Sequence, residues 1–146
     1  MKVFISHAHA DRRFAARLAK TLEAAGHDVW TEREILPGDN WAAAAATALD
    51  QADALVALIS PDALQSELVK HEWEYALGQE RFRYRLIPVE VRRTDEKPWI
   101  FERLKVLPGS DPEATGREIA RAFKMGEASQ VGTRAASGSI SFARVA

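Results

Sequence analysis

Cysteine does not occur among the 146 residues of this chain. Its absence excludes disulfide bridges, thiolate-bound zinc and cysteine nucleophiles, and it fits a reducing compartment. Long hydrophobic runs are also missing, since no apolar stretch approaches the length of a membrane span. The chain starts directly on a strand-like run rather than on a basic and then apolar leader. We therefore expect a cytoplasmic protein with no membrane partner.

Neither sign of charge dominates the chain. Twenty basic residues face 21 acidic ones, for a formal net charge of −1, so no overall field recruits an anionic polymer or membrane. The basic residues are scattered and are not interleaved with aromatic residues, which argues against a nucleic-acid partner. The chain also lacks a glycine-rich phosphate loop and a Gly-x-Ser-x-Gly element, the signatures of P-loop proteins and many serine hydrolases.

Short β-rich runs alternate with helical segments along the first 124 residues. The predicted strands are residues 2–6, 27–31, 53–60, 85–91 and 105–107. The predicted helices are residues 11–26, 41–51, 64–78, 98–105 and 112–124. In this scheme Asp11 caps the first helix and Gly26 ends it. Residues 54–59 read Ala-Leu-Val-Ala-Leu-Ile, which is typical of a strand covered on both faces, whereas Pro88 is awkward inside a strand.

This alternation predicts an α/β fold: a flavodoxin-like three-layer sandwich whose five-stranded parallel sheet carries helices on both faces. Residues 1–124 make one domain. From residue 125 onward the composition shifts to Gly, Ser, Ala and Thr, so residues 125–146 are predicted to be a flexible tail or a linker.

Glu72 is the residue that departs most clearly from the helical pattern. A projection of residues 64–78 at about 100° per residue places the apolar side chains on one broad arc, with Glu72 inside it between Leu68 and Ala76. A carboxylate in that position is either partly desolvated or opens into a cleft, as functional carboxylates often do. The ordinary alternative is a glutamate at the helix edge that reaches water.

Ligands of open α/β sheets bind beyond the carboxyl ends of the strands. The loops expected there are residues 6–10, which we call the first loop, residues 32–40 and residues 60–65. His7 and His9 lie in the first loop and could form a metal pair, but two imidazoles without a third ligand make a poor site, so we expect no metal.

Several short motifs, taken in order, resemble one known family. They are Phe4-Ile5-Ser6-His7 with Asp11, Asp28-Val29-Trp30, Ile35-Leu36-Pro37-Gly38-Asp39, Ile59-Ser60-Pro61 and residues 66–72 (SELVKHE). Together they are similar to the Toll/interleukin-1 receptor (TIR) domain, most of all to its bacterial members, over residues 1–124. The resemblance implies a five-stranded parallel sheet and, as in many bacterial, plant and some animal members, cleavage of NAD+ at the nicotinamide–ribose bond.

The resemblance also assigns roles to residues. The family's catalytic glutamate falls on Glu72, and the substrate-binding positions fall on Ser6, His7, Ala8, Asn40 and Trp41. NAD+ is the substrate, and no cofactor is implied. Residues 32–41 correspond to the family's BB loop, which lines the pocket and mediates self-association into an oligomer or filament. An antiphage or cell-suicide effector that is activated by assembly, with cyclisation of ADP-ribose as a possible variant of the reaction, is the function this implies.

Ordinary explanations stand beside these assignments. Trp41 is equally well explained as a core residue at a helix start, and the alanine-rich helix that follows it as one packed tightly on the sheet. A non-enzymatic TIR adaptor, acting by TIR–TIR self-association or by binding host TIR domains, is the main alternative function. Another is a flavodoxin-like nucleoside transferase, which also uses one glutamate. A phosphoacceptor receiver domain fits badly, because Ser60-Pro61 stands where that class needs an aspartate.

Overall fold

A five-stranded, all-parallel sheet in the order β2-β1-β3-β4-β5 forms the centre of the molecule. The strands are β1 (Lys2–Ser6), β2 (Asp28–Trp30), β3 (Ala54–Ile59), β4 (Leu86–Glu90) and β5 (Leu107–Pro108). The computed structural model describes residues 1–31, 40–96, 101–102 and 104–136, with the backbone alone for Trp41 and residues 127–136. The strand order is that of flavodoxin-like folds, so the predicted fold class is confirmed.

Helices cover both faces of this sheet, and the sheet separates the hydrophobic core into two clusters. The helices are α1 (Arg12–Ala24), α2 (Trp41–Gln51), α3 (Pro61–Leu64), α4 (Glu67–Leu77) and α5 (Pro112–Ala136). Val3 and Ile5 of β1 point to the cluster that contains residues of α1 and α5. Phe4, between them, points to the cluster that contains residues of α2, α3 and α4. Side chains alternate between the two faces along a strand, so Ser6 lies on the same face as Phe4, the face covered by α2, α3 and α4.

The central strand β3 is buried along its whole length, as its unbroken apolar sequence predicts. Pro88 is accommodated on the neighbouring strand β4. Val91 donates its backbone N–H to Ile59 of β3, so by alternation the nitrogen of Pro88 points away from β3, toward β5. The described pairing of β4 with β5 involves Val89 and Glu90 of β4 and does not include Pro88. The missing N–H of Pro88 therefore costs the sheet no hydrogen bond between paired strands.

Helix α1 ends as predicted. Gly26 has φ +97°, its N–H donates to the Glu23 carbonyl, and the N–H of His27 donates to the Leu22 carbonyl. This pair of hydrogen bonds is a Schellman motif, which requires the left-handed backbone that glycine adopts without strain. The chain leaves α1 directly into β2.

The helix predicted over residues 64–78 is interrupted. α3 ends at Leu64, and the Ser66 hydroxyl then accepts a hydrogen bond from the Val69 N–H at 3.3 Å and caps a new helix, α4. Serine competes with the helical backbone for hydrogen bonds and is favoured at such starts. The interruption places Glu72 in the second turn of α4.

The last helix is longer than predicted. α5 runs from Pro112 to Ala136, where the sequence indicated an end near residue 124. No proline interrupts the chain after Pro112, and a glycine such as Gly126 costs a helix only about 1 kcal/mol relative to alanine. Residues 32–39 of the predicted loop lie outside the described residues, and so do residues 98–100 and 103 of the helix predicted over residues 98–105. None of the described helices is long and apolar enough to cross a membrane.

Candidate active site

Glu72 and Ser6 form a buried polar pair at the carboxyl edge of the sheet. Glu72 is 8% exposed and Ser6 is 1% exposed. The Ser6 hydroxyl donates a hydrogen bond of 2.7 Å to Oε1 of Glu72. The contact joins residues 66 positions apart, one at the end of β1 and one in the second turn of α4. The carboxylate is therefore held at the start of the first loop and does not lie along the helix surface in water.

The sequence accounts for this meeting. Ser6 falls on the face of β1 that Phe4 also occupies, and α4 packs on that face through Val69, Trp73 and Ala76. Glu72 stands between these residues along the helix, so its side chain must enter the same layer. An ionised carboxylate in such a layer requires hydrogen-bond donors, and the Ser6 hydroxyl supplies one.

The first loop carries His7 and Ala8, two of the predicted substrate contacts. His7 is partly buried, and its Nδ1 lies 2.8 Å from the Ala8 carbonyl oxygen. Because a carbonyl only accepts, Nδ1 must carry the proton, and in the neutral ring Nε2 is then the acceptor. Ala8 is 7% exposed and its methyl group belongs to the α2–α4 core cluster. Ala8 can therefore offer a ligand backbone atoms more readily than its side chain.

Asn40 has a structural task in the described part of the chain. Its Oδ1 accepts a hydrogen bond from the Ala43 N–H at 3.2 Å and caps α2. Asn40 is exposed, and it stands at the junction between the BB-loop segment and this helix. Trp41 is the first residue of α2, but its side chain lies outside the described residues. The predicted substrate roles of both residues stay predictions.

A second polar cluster at the same edge was missed by the sequence reasoning. Asp11, 5% exposed, accepts a hydrogen bond of 2.5 Å from the Ser60 hydroxyl and one of 2.9 Å from Nε of Arg92. Arg92 also donates through Nη2 to Asp62 at 2.5 Å. These residues follow the carboxyl ends of β1, β3 and β4, which are neighbouring strands. Asp11 was predicted to cap α1, yet its side chain makes no capping hydrogen bond.

Metal ligands do not gather at this edge within the described residues. No group of three or more histidine, aspartate or glutamate side chains there could hold a metal ion. The polar groups that the structure brings together are a carboxylate with a hydroxyl (Glu72 and Ser6) and a carboxylate with a hydroxyl and a guanidinium (Asp11, Ser60 and Arg92). Such a set can bind hydroxyl groups and stabilise positive charge.

Comparison with known families shows which family this chain belongs to. The model of the TIR domain family matches residues 3–122 of the chain. The chain is a TIR domain. The match spans β1 to α5 and therefore includes Ser6, Glu72 and the Asp11 cluster. Among curated proteins no significant match was found.

Solved structures of animal TIR domains are similar to this one. The TIR domain of the Toll-related receptor TRR-2 from Hydra magnipapillata shares 21% identity at a TM-score of 0.68, over 86% of this chain and 97% of that one. A metazoan TIR-STING receptor from C. gigas, solved in complex with 2′,3′-cGAMP, shares 27% identity at a TM-score of 0.68. That match covers 82% of this chain but only 38% of the receptor. The predicted likeness to bacterial members in particular stays a prediction.

Proposed function

We propose that this TIR domain cleaves NAD+ at the bond between nicotinamide and ribose, with Glu72 as its catalytic carboxylate. The observation that supports the proposal most strongly is the position of Glu72. It is buried at the carboxyl edge of the sheet, where ligands of open α/β folds bind, and Ser6 orients it from the base of the first loop. A buried carboxylate is costly to a fold, and the usual compensation is either a structural ion pair or a function.

The chemistry needs one carboxylate. When the bond between C1′ of the ribose and the pyridinium nitrogen breaks, its electron pair goes to nitrogen and nicotinamide leaves as a neutral molecule. No general acid is required for that departure. The ribose is left with positive charge shared between C1′ and the ring oxygen, as in glycoside cleavage. Water then adds to C1′ and releases a proton, so the products are nicotinamide, ADP-ribose and one proton.

Glu72 acts on this charge in two ways. Its negative carboxylate stabilises the developing cation in a site of low dielectric, where a fixed charge is worth more than in water. A carboxylate has acceptor capacity for about four hydrogen bonds, so accepting one from Ser6 is compatible with accepting others from ribose hydroxyls. Attack on C1′ by an adenine nitrogen in place of water would give cyclic ADP-ribose.

The remaining predicted contacts belong to the same proposal. His7 and the backbone of Ala8 line the substrate from the first loop, and Asn40 and Trp41 contact it, or a neighbouring subunit, from the start of α2. Residues 32–41 complete the pocket on self-association. Loss of cellular NAD+ is the output expected of a cytoplasmic antiphage or cell-suicide effector that assembly activates.

The decisive experiment is Glu72→Gln. The amide oxygen of glutamine can still accept the Ser6 hydrogen bond, so the variant keeps this contact and the side-chain volume while it removes the negative charge. We expect kcat for nicotinamide release to fall on the order of 10²- to 10³-fold. Chromatography and mass spectrometry of the products measure this release. The matched control is Glu74→Gln, because Glu74 lies on the same helix and is exposed.

The control variant should match the wild type, and both variants should retain its circular dichroism spectrum. Wild-type turnover by Glu72→Gln would show that the assignment is wrong. Glu72→Ala is the weaker probe, because it leaves the buried Ser6 hydroxyl without the acceptor at 2.7 Å and opens a cavity beside it.

A non-enzymatic adaptor is the second candidate. It is favoured by the Hydra neighbour, which is a receptor TIR domain, and by the low exposure of Glu72, which is compatible with a purely structural pair with Ser6. An adaptor would release no nicotinamide from NAD+ even at the highest protein concentration, and it would still self-associate or bind other TIR domains. The same assay, run with NAD+ and with nucleosides, separates this candidate and the nucleoside transferase from the NAD+-cleaving enzyme.

A further inference from the structure

The first loop is anchored at both of its ends by buried side chains. At one end, the Ser6 hydroxyl donates to Glu72. Directly after the other end, the carboxylate of Asp11 accepts from Ser60 at 2.5 Å and from Arg92 at 2.9 Å. The loop between these anchors is short, so a shift of Asp11 must be taken up within a few residues.

Hydrogen bonds to the Ala8 carbonyl couple Asp11 to the first loop. The Asp11 N–H donates to the Ala8 carbonyl at 2.9 Å, and Nδ1 of His7 lies 2.8 Å from the same oxygen. One carbonyl therefore receives hydrogen bonds from both the anchor and the imidazole. Moving Asp11 would displace the Ala8 carbonyl and with it the orientation of the His7 ring.

The two carboxylates held by Arg92 differ in their surroundings. The side chain of Asp11 is 4% exposed, whereas that of Asp62 is 55% exposed. An exposed ion pair contributes little, but a buried carboxylate depends on its donors. The hydrogen bond to Asp11, and after it the one to Asp62, raises the pKa of Arg92 above its ordinary value. The contact with Asp11 is thus the one that matters for the loop.

We propose that Arg92 is a positioning residue for the site: by holding Asp11 it fixes the end of the first loop, and through the Ala8 carbonyl it sets the His7 ring against the substrate. This inference rests on the proposed cleavage of NAD+ and extends it to a residue that follows β4. Arg92 acts through Asp11 and needs no contact of its own with the reacting atoms.

The test compares Arg92→Ala with Arg92→Lys and uses Asp62→Asn as the matched control. Asp62→Asn removes the charge of the exposed partner and leaves the hydrogen bonds of Asp11 in place. In Arg92→Ala we expect kcat/KM for NAD+ to fall on the order of 10- to 10²-fold, mostly through KM, because loop contacts are made in both ground state and transition state. Lysine offers one cationic donor group without the fork of arginine, so Arg92→Lys should be intermediate. Asp62→Asn should match the wild type.

A second measurement follows the loop independently of turnover. Amide hydrogen exchange at Asp11 should accelerate in Arg92→Ala and stay unchanged in Asp62→Asn, since this N–H is bonded to the Ala8 carbonyl. A merely structural role would lower the melting temperature and the active fraction without raising KM. If Arg92→Ala does not fold, Arg92→Lys decides the question by the same KM and exchange measurements.

The outcomes separate the two proposals. A KM within about twofold of the wild type in folded Arg92→Ala, or in Arg92→Lys where the alanine variant does not fold, overturns the positioning role, even while Glu72→Gln is inactive and the proposed function stands. Unchanged Asp11 exchange overturns it as well. If the wild type leaves NAD+ intact, the proposed function fails first and the role of Arg92 in that reaction fails with it. In that case the exchange measurement still reports whether Arg92 holds the loop.

Discussion

The hydrogen bond between Ser6 and Glu72 links the orientation of the carboxylate to its burial. A glutamate on an amphipathic helix ordinarily turns its carboxylate to water, as the exposed Glu67 and Glu74 of the same helix can do. Glu72 instead accepts from a hydroxyl that is itself 1% exposed. A donor in such a layer both orients the carboxylate and lowers the cost of burying it.

Ser6→Ala removes that donor without changing the strand. We expect the free energy of unfolding to fall by about 1–3 kcal/mol, because a buried carboxylate loses a hydrogen bond, and kcat to fall because the carboxylate is less well oriented. Urea denaturation and nicotinamide release measure the two effects. In a double-mutant cycle, Ser6→Ala should cost less stability in a Glu72→Gln background, where no charge is buried. Equal costs in both backgrounds would contradict the coupling.

Helices α2 and α4, which flank the site, are joined at their carboxyl ends by Arg81. Its Nε donates to the Ala52 carbonyl at 2.9 Å, and its Nη2 lies 3.0 Å from the Leu49 carbonyl oxygen. The guanidinium also lies over the ring of Phe82, 4.5 Å from its centroid. A cation at the carboxyl end of a helix satisfies its last carbonyls and interacts favourably with its dipole. Arg81 thereby ties the end of α2 to the segment that follows the Glu72 helix.

Arg81→Ala should therefore lower the free energy of unfolding by about 2–3 kcal/mol, through the lost charge-assisted hydrogen bonds and the lost ring contact. Arg81→Lys should recover only part of this, because an ammonium group cannot reproduce the fork that reaches several carbonyls. Urea denaturation at pH 7 measures both variants. Lys70→Ala, an exposed change on α4, is the control and should be nearly neutral. If Arg81→Ala lowered the free energy of unfolding no more than Lys70→Ala does, the proposed link between the two helices would be wrong.

Features that a short stretch of sequence encodes were predictable. The individual strands, the burial of β3 and the end of α1 at Gly26 each follow from a local pattern of hydrophobicity or from one backbone conformation. The break at Ser66 was not predicted, because the apolar arc continues across it and the competing hydroxyl leaves no periodic signal.

The candidate site was predictable only in part, for a related reason. Glu72 could be singled out because a charge on an apolar face is itself a local anomaly. Asp11 looked like a helix cap because aspartate is common there, but the side chain is taken by Ser60, 49 residues away, and by Arg92, 81 residues away. Residues so far apart in sequence come together because the ends of their strands meet at one edge of the sheet. A pattern along the chain does not indicate this proximity.

The molecule as a whole combines a nearly neutral charge with an unusual outer surface on α2. The formal net charge is −1, so copies of the chain repel each other little. Ala45 and Leu49 of α2 are buried on the sheet, whereas Ala42, Ala43 and Ala46 are exposed. Tight packing on the sheet therefore explains only one stripe of this alanine-rich helix. The outward stripe would permit close approach of another subunit at small cost in side-chain entropy.

If assembly completes the site, as we propose, the rate of NAD+ cleavage per molecule should rise with protein concentration and fall on dilution. Ala43→Arg adds a long charged side chain to the outward stripe, beside Asn40 and the BB-loop segment, and it should move the rise to higher concentration by obstructing close approach. Ala24→Arg is the control, since Ala24 is exposed at the end of α1, a helix of the opposite layer. Sedimentation velocity over the same concentrations should show oligomers where the activity rises. A rate per molecule that is constant across dilution, with the wild type and both variants alike, would mean that one chain suffices and that the outward alanines have no part in activation.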